Sequence, residues 1–308
     1  MNSIIPSEVI KTVAEAVPAD CLENLVIIGS LATAFAYFGD SRRIAVRTKD
    51  IDCLLKPHAV ASEKGQAVAT QLFNAGWKQR LLGDHVEPGN INTPENELPA
   101  VRLYHPAINP EDENAWFIEL LTEPESSKDV GKSWTRIVID KGHFGLPSFR
   151  YLSIAAFLPE KTNDFGLFYA RPQMMALANM LEHPEIKPDR MSTRFNGREI
   201  KRSNKDLGRV LAIGYLEQEK GTIDFHKWAI DWLTALQICF PEDWKNLAKN
   251  AGSGLIQLIG NSTDLEEAHH TCAYGLLSSF GVRLDDLKEV GERIIGEAVA
   301  DLIEQSKK

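Results

Sequence analysis

Little in this chain marks it for a membrane, for the cell exterior or for bulk binding to nucleic acid. Its longest apolar runs fall far short of the roughly 20 residues that a membrane span needs. The opening segment, MNSIIPSEVIKTVAEAV, carries Glu8 and Lys11 where a secretory leader has an apolar core. Cysteine is scarce: Cys21, Cys53, Cys239 and Cys272 are four among 308 residues, with no C-x-x-C spacing. That argues against a zinc site and a disulfide framework and leaves them as small buried hydrophobes. Positive charge is outnumbered, 34 Lys and Arg against 43 Asp and Glu, so the net charge of -9 argues against coating nucleic acid by bulk electrostatics. A soluble, cytoplasmic protein with no membrane contact is expected. What is present, 44% hydrophobic residues over this length, suffices for two domains or one elaborate one.

The pattern changes along the chain. SEVIKTVAEAV reads as an amphipathic helix and ENLVIIG as a buried strand, apolar on both faces. Ser30 is placed to cap a following helix in which Leu31, Ala34, Phe35 and Phe38 repeat at helical spacing, with Gly39 as its stop. DIDCLL then reads as a strand, EKGQAVATQLFNAG as a helix ending at Gly76, and WKQRLL, AVRLYH, WFIELLT, TRIVID and FRYLSI as further strands. His143, in KGHFG, is expected on a loop. Beyond about Pro172 strand signals fade and helical periodicity takes over. The expectation is an α+β fold, a mixed β-sheet with flanking helices over residues 1–160, followed by an all-helical domain over 161–308. Turn residues in PEKTNDFG suggest the boundary.

The chemistry concentrates where acids interrupt strands. Along an extended chain Asp50 and Asp52 point the same way while Ile51 points into the core, which sets the two carboxylates some 6–7 Å apart. Two anions so close favour a shared proton or a bound cation, and hard oxygen ligands suit Mg²⁺ or Mn²⁺ carrying a substrate phosphate. Glu119 is the single acid in the apolar run AWFIELLT, where an unpaired buried charge is costly. As a third carboxylate it would complete a two-metal site for in-line displacement at phosphorus. As a structural residue it would pair with Arg102 or Arg47. The Gly29-Ser30 turn fits a phosphate, since glycine lets backbone come close and a helix N-terminus offers free N–H groups.

Gly-Ser at a strand-to-helix turn, a D-x-D strand and a later strand acid together resemble the polymerase-beta-like nucleotidyltransferase superfamily. VRTKDIDCLL is similar to the R-x-T-x-D-I-D segment of AbiEii/AbiGii-type nucleotidyltransferases, a bacterial group that includes toxins. The resemblance covers roughly residues 20–125 and, more weakly, 170–215. It implies a nucleotidyltransferase fold, with Asp50, Asp52 and Glu119 as catalytic and metal-binding acids and Gly29 and Ser30 as nucleotide-binding residues. SNKDLGRV resembles the group's K-D-L segment, which implies nucleotide contacts for Lys205 and Asp206. It further implies a nucleoside triphosphate donor, a tRNA or protein acceptor, a toxin role in a toxin–antitoxin or phage-defence system, and an antitoxin partner.

Between Lys187 and Arg209 eight basic residues, Arg194 and Arg198 among them, face three acids, Asp189, Glu199 and Asp206. The segment reads either as a basic rim for triphosphate or RNA or as a solvated charged face. His269 and His270 diverge by about 100° on a helix and do not share a metal easily. Trp228, Trp232 and Trp244 read as core or interface anchors. Two rival readings stand beside the enzyme: an inactive nucleotidyltransferase fold that binds a nucleotide or partner, and an unrelated α+β interaction protein whose acids pair with arginines.

Overall fold

The computed structural model describes residues 3–39, 41, 44–80, 87–109, 115–128, 131–183, 190–192, 195–221 and 224–307. It is a mixed α and β structure that divides into two compact units, residues 1–171 and 172–308. Among the described residues no helix is long and apolar enough to cross a membrane.

The first unit opens with a two-residue strand, β1 (Ser3–Ile4), paired to β3 (Val46–Arg47), and with helix α1 (Pro6–Ala16). Its main sheet is built from β2 (Leu25–Ile27), β4 (Asp50–Leu55), β5 (Lys78–Gln79), β6 (Arg102–Tyr104), β7 (Phe117–Thr122), β10 (Glu160–Lys161) and β11 (Phe168–Tyr169). In space their order is β10-β11-β2-β4-β7-β6-β5. The β4–β7 and β11–β2 pairs are parallel and the others antiparallel, so the sheet is mixed. Helix α2 (Gly29–Phe38) follows β2, and α3 (His58–Asn74) follows β4. A separate ribbon pairs β8 (Lys132–Ile139) with β9 (Gly142–Phe149), and the four-residue α4 (Leu152–Ala155) follows it.

Side-chain parity gives the sheet two different faces. On one, Ile51, Cys53 and Leu55 are fully buried, and α3 brings Gly65 in among Leu55, Ile137 and Leu146. Burying each such aliphatic side chain is worth about 1.5–3 kcal/mol, which pins the register of β4. The other face of β4 carries Asp50 and Asp52, both half-buried.

Several expectations change on contact with the structure. FRYLSI is not a strand, because Phe149 ends β9 and the chain then turns into α4. His143 is not on a loop: it sits in β9 opposite Val138, and its Nδ1 is 2.9 Å from Arg136 Nη1. PEKTNDFG, whose turn residues suggest the boundary, supplies β10 and the turn of a hairpin whose second strand, β11, pairs with β2 at the edge of the sheet, and the compact first unit runs to Arg171. Ser30 is not a cap residue. Helix α2 already includes Gly29, and Ile28 occupies the cap position without a side-chain bond.

The named elements of the second unit are helices: α5 (Pro172–Glu182), α6 (Arg202–Glu219), α7 (Phe225–Cys239), α8 (Trp244–Asn250), α9 (Ser253–Gly260), α10 (Ser262–Tyr274), α11 (Leu284–Arg293) and α12 (Ala300–Gln305). A π-helical turn, Ile294–Val299, joins the last two. Helix α6 packs against α5, α10 and α11 through Leu207, Val210, Leu211 and neighbouring apolar residues at helical spacing. Trp232 is fully buried and donates its indole N–H to Gln173 O at 2.8 Å, so it anchors this core, with Trp228 packed beside it.

Candidate functional site

The site grows out of the β2–β4 ladder. Ile28 N–H donates to Asp52 O at 3.0 Å, and the chain then turns at Gly29 with φ +73°. This is the left-handed region that side chains avoid. Space favours glycine as well, because a Cβ here would lie 2.6 Å from Asp52 Oδ2, and that carboxylate would have to move. The Gly29 backbone therefore abuts the Asp52 carboxylate, and Thr33 Oγ1 donates to Gly29 O at 3.2 Å to hold the first turn of α2. Ser30 lies in that turn, half-buried.

Parallel pairing of β4 with β7 sets Asp50 opposite Phe117 and Asp52 opposite Glu119. Antiparallel pairing of β6 with β7 sets Arg102 opposite Glu119 and Tyr104 opposite Phe117. One face of the sheet thus carries Asp50, Asp52, Glu119, Arg102, Phe117 and Tyr104. Thr48 Oγ1 donates to Asp50 Oδ1 at 3.1 Å. Next along β4, Cys53 faces the core, and burial, with a smaller contribution from the Asp52 charge, pushes its thiol far above the ordinary range. It is an inert packing residue.

Glu119 and Arg102 form an ion pair, Arg102 Nη2 donating to Glu119 Oε1 at 2.8 Å, with the glutamate side chain 13% exposed. Of the two arginines that the structural alternative offers, Arg102 is the partner. The guanidinium Nε–H of Arg102 is itself buried without an acceptor among the described residues. Asp50 and Asp52 supply hard oxygen donors on one half-buried face, the ligand type that a divalent ion takes. Glu119 has one oxygen committed to Arg102, and among the described residues no three His, Cys, Asp or Glu side chains converge to hold a metal.

In the second unit Asp206 is buried on α6 and its Oδ2 accepts from Arg202 Nε at 3.3 Å. Lys205, one position earlier, is half-buried. Around them lies a polar network that the sequence pattern does not disclose. Lys201 Nζ donates to Asp264 Oδ1 at 2.7 Å, and Asn204 Nδ2 bridges Asp264 Oδ1 at 2.8 Å and Glu267 Oε2 at 2.9 Å. Burial works against the Asp264 carboxylate, but the hydrogen bonds from Lys201 and Asn204 outweigh it and hold its pKa below the ordinary value. Arg209 donates to Asn179 Oδ1 at 3.2 Å.

The basic segment therefore splits. Lys201, Arg202 and Arg209 serve contacts inside the unit, whereas Arg190 and Arg198 are exposed. Lys187, Arg194 and Asp189 lie outside the described residues. His269 and His270 each meet a different backbone carbonyl, of Val282 at 2.9 Å and of Phe195 at 3.2 Å.

Arg102 is the residue of the site that sequence reasoning reached only as a bystander. Its signal was available, as the lone charge in the apolar strand VRLY, and so mirrors Glu119. No protein-family profile, no curated protein and no solved structure matches this chain.

Proposed function

We propose that the first unit is a metal-dependent nucleotidyltransferase that moves a nucleoside monophosphate from a nucleoside triphosphate to an RNA or protein acceptor. The observation that carries this reading is the single sheet face on which Asp50, Asp52 and Glu119 stand together, with the Gly29 backbone against Asp52. Asp50 and Asp52 would hold Mg²⁺ or Mn²⁺, which when bound neutralises phosphate charge and orients the triphosphate. The Gly29–Ser30 turn offers close backbone and the helix N-terminus to phosphate oxygens. Glu119, its orientation fixed by Arg102, positions the acceptor hydroxyl and takes its proton as that oxygen bonds to the α-phosphorus and pyrophosphate leaves. Most of the rate comes from positioning and charge neutralisation. Lys205 and Asp206 keep their nucleotide-contacting role as an expectation from resemblance, and so do the toxin role and the antitoxin partner.

A second reading is favoured by one specific contact. The Arg102–Glu119 pair already offsets the third acid, as in a nucleotidyltransferase fold that binds nucleotide without turning it over. The test is incubation of the chain with each labelled triphosphate, magnesium and total cellular RNA or protein. Transfer of label, abolished by Asp52→Asn, supports the enzyme. Magnesium-dependent triphosphate binding with no pyrophosphate release supports the inactive fold. A melting temperature indifferent to magnesium plus every triphosphate sinks both.

A further inference from the structure

The carboxylate face has a cation for which the reaction outlined above has no use. Arg80 follows β5, and its N–H donates to Arg102 O at 2.6 Å, which ties the strand end to β6. From that outer strand the side chain runs back across the sheet. Its Cζ lies 5.9 Å from the centroid of Tyr104 on β6 and 4.0 Å from that of Phe117 on β7. Phe117 is the register partner of Asp50, so the guanidinium lies over a side chain of the strand next to the one that bears both aspartates. Parity puts it on their face.

Two features make this more than a surface arginine resting on an apolar patch. The rings beneath it are 5% and 7% exposed, so the cation sits on a built aromatic floor. A cation–π contact holds a guanidinium without consuming its N–H donors. Nor does a carboxylate among the described residues pair with Arg80, whereas Arg102, one strand nearer the sheet centre, is committed to Glu119. The carboxylate pair is thus flanked on the β2 side by the Gly29 turn and on the β7 side by a guanidinium fork.

We infer that Arg80 is a phosphate-binding residue of this site, holding an oxyanion of a phosphorylated ligand on the β7 side of Asp50 and Asp52. The inference rests on reading that face as a nucleotide site. The planar fork of Arg80 matches phosphate geometry. The phosphate belongs either to the triphosphate or to the backbone of an RNA acceptor, and the chemistry of recognition is the same for both.

The full chain and its Arg80→Gln and Arg80→Lys variants are titrated calorimetrically with three probes: ATP with magnesium, a short single-stranded RNA, and inorganic tripolyphosphate without metal. Arg80→Gln should weaken at least one probe by about tenfold or more, and Arg80→Lys by less, since lysine keeps the charge but not the fork. ATP alone affected identifies the triphosphate; RNA alone affected identifies the acceptor. If Arg80→Gln melts too early to titrate, Arg80→Lys decides by the same comparison. Unchanged affinity for all three probes overturns the assignment, and so does a wild-type chain that binds none of them. Tripolyphosphate binding that depends on Arg80, in a chain whose ATP binding ignores magnesium, would fail the nucleotidyl-transfer reading and leave this one. Magnesium-dependent ATP binding indifferent to Arg80, with RNA and tripolyphosphate equally indifferent, would do the reverse.

Discussion

Asp52 and Glu119 stand side by side on adjacent parallel strands, and the glutamate is held from its far side by Arg102 at 2.8 Å. Arg102 therefore offsets charge in a cluster of acids, and its loss should cost more than the loss of its partner. Arg102→Met is expected to destabilise the first unit by about 1–3 kcal/mol, because it leaves a mostly buried carboxylate beside another. Glu119→Gln should cost less, and the double variant should recover part of the Arg102→Met loss. Urea unfolding of the three variants measures this. Strictly additive losses would show that the pair is not coupled.

At the acids themselves, replacing both Asp50 and Asp52 by Asn should leave the protein folded while removing the rise in melting temperature that magnesium and triphosphate give together. A double variant that unfolds would make the carboxylates structural. The readout is a thermal-shift titration with far-ultraviolet circular dichroism as the folding control.

Binding and chemistry separate at Glu119. Glu119→Gln keeps the size of the side chain and an oxygen for Arg102, so triphosphate affinity should change little. Transfer should fall by about two to four orders of magnitude if the glutamate takes the acceptor proton. A fully active Glu119→Gln protein would remove that residue from the reaction.

The Gly29 turn can be tested by clash and relief. Gly29→Ala should destabilise the first unit by about 1–3 kcal/mol, because alanine must adopt a positive φ and meet Asp52 Oδ2. In an Asp52→Ala background the steric part disappears and only the φ penalty remains, so the second substitution should cost less there. Equal costs in both backgrounds would assign the whole effect to φ.

The second unit should respond to mild acid through His183. Burial lowers the pKa of this imidazole, with the Asp206 and Asp264 charges opposing, and its ring sits where a Cβ on residue 254 would lie 2.3 Å from Nδ1. Gly254 is thus needed for the histidine to dock. Because the folded pKa is depressed, the unfolded chain takes up a proton first as pH falls below about 6.5. Stability is then lost from that point down to the folded pKa and is unaffected above it. His183→Gln should flatten the dependence of unfolding free energy on pH between 7.5 and 5.5, measured by urea unfolding at several pH values. An unchanged slope would show that other groups carry it.

Much of this architecture is legible in the sequence where apolar runs are bounded by turn residues. Asp50–Leu55 and Phe117–Thr122 stand out because each is a buried run interrupted only by acids of one parity. Strand β9 is hidden by Gly142, Gly145 and Pro147, which read as breakers. The structure explains why they are tolerated. His143 and Gly145 direct their amides away from β8, to Gly89 O and Pro99 O, and Pro147, two residues on, shares that parity and has no ladder donor to lose. Helix α9 is masked in the same way by Gly252, Gly254 and Gly260, of which Gly254 serves His183. The Arg102–Glu119 pair is half-legible, since one sequence offers each charge but not the register that joins them. The fan of Arg80 across two strands is not legible at all, because it depends on the spatial order of β5, β6 and β7 rather than on any local pattern.

The contact between Gly29 and Asp52 also constrains how this surface can drift over evolutionary time. Two positions separated by 23 residues along the chain share one small volume, so a side chain at 29 is constrained by the residue at 52. A descendant that acquires a side chain at 29 while Asp52 is retained bears both the positive-φ penalty and the clash with that carboxylate. The reverse order is open, since losing the acid leaves the turn intact. Decay of the site would therefore leave an asymmetric record: chains with Gly29 and no acid at 52 should outnumber chains with a side chain at 29 and Asp52 retained.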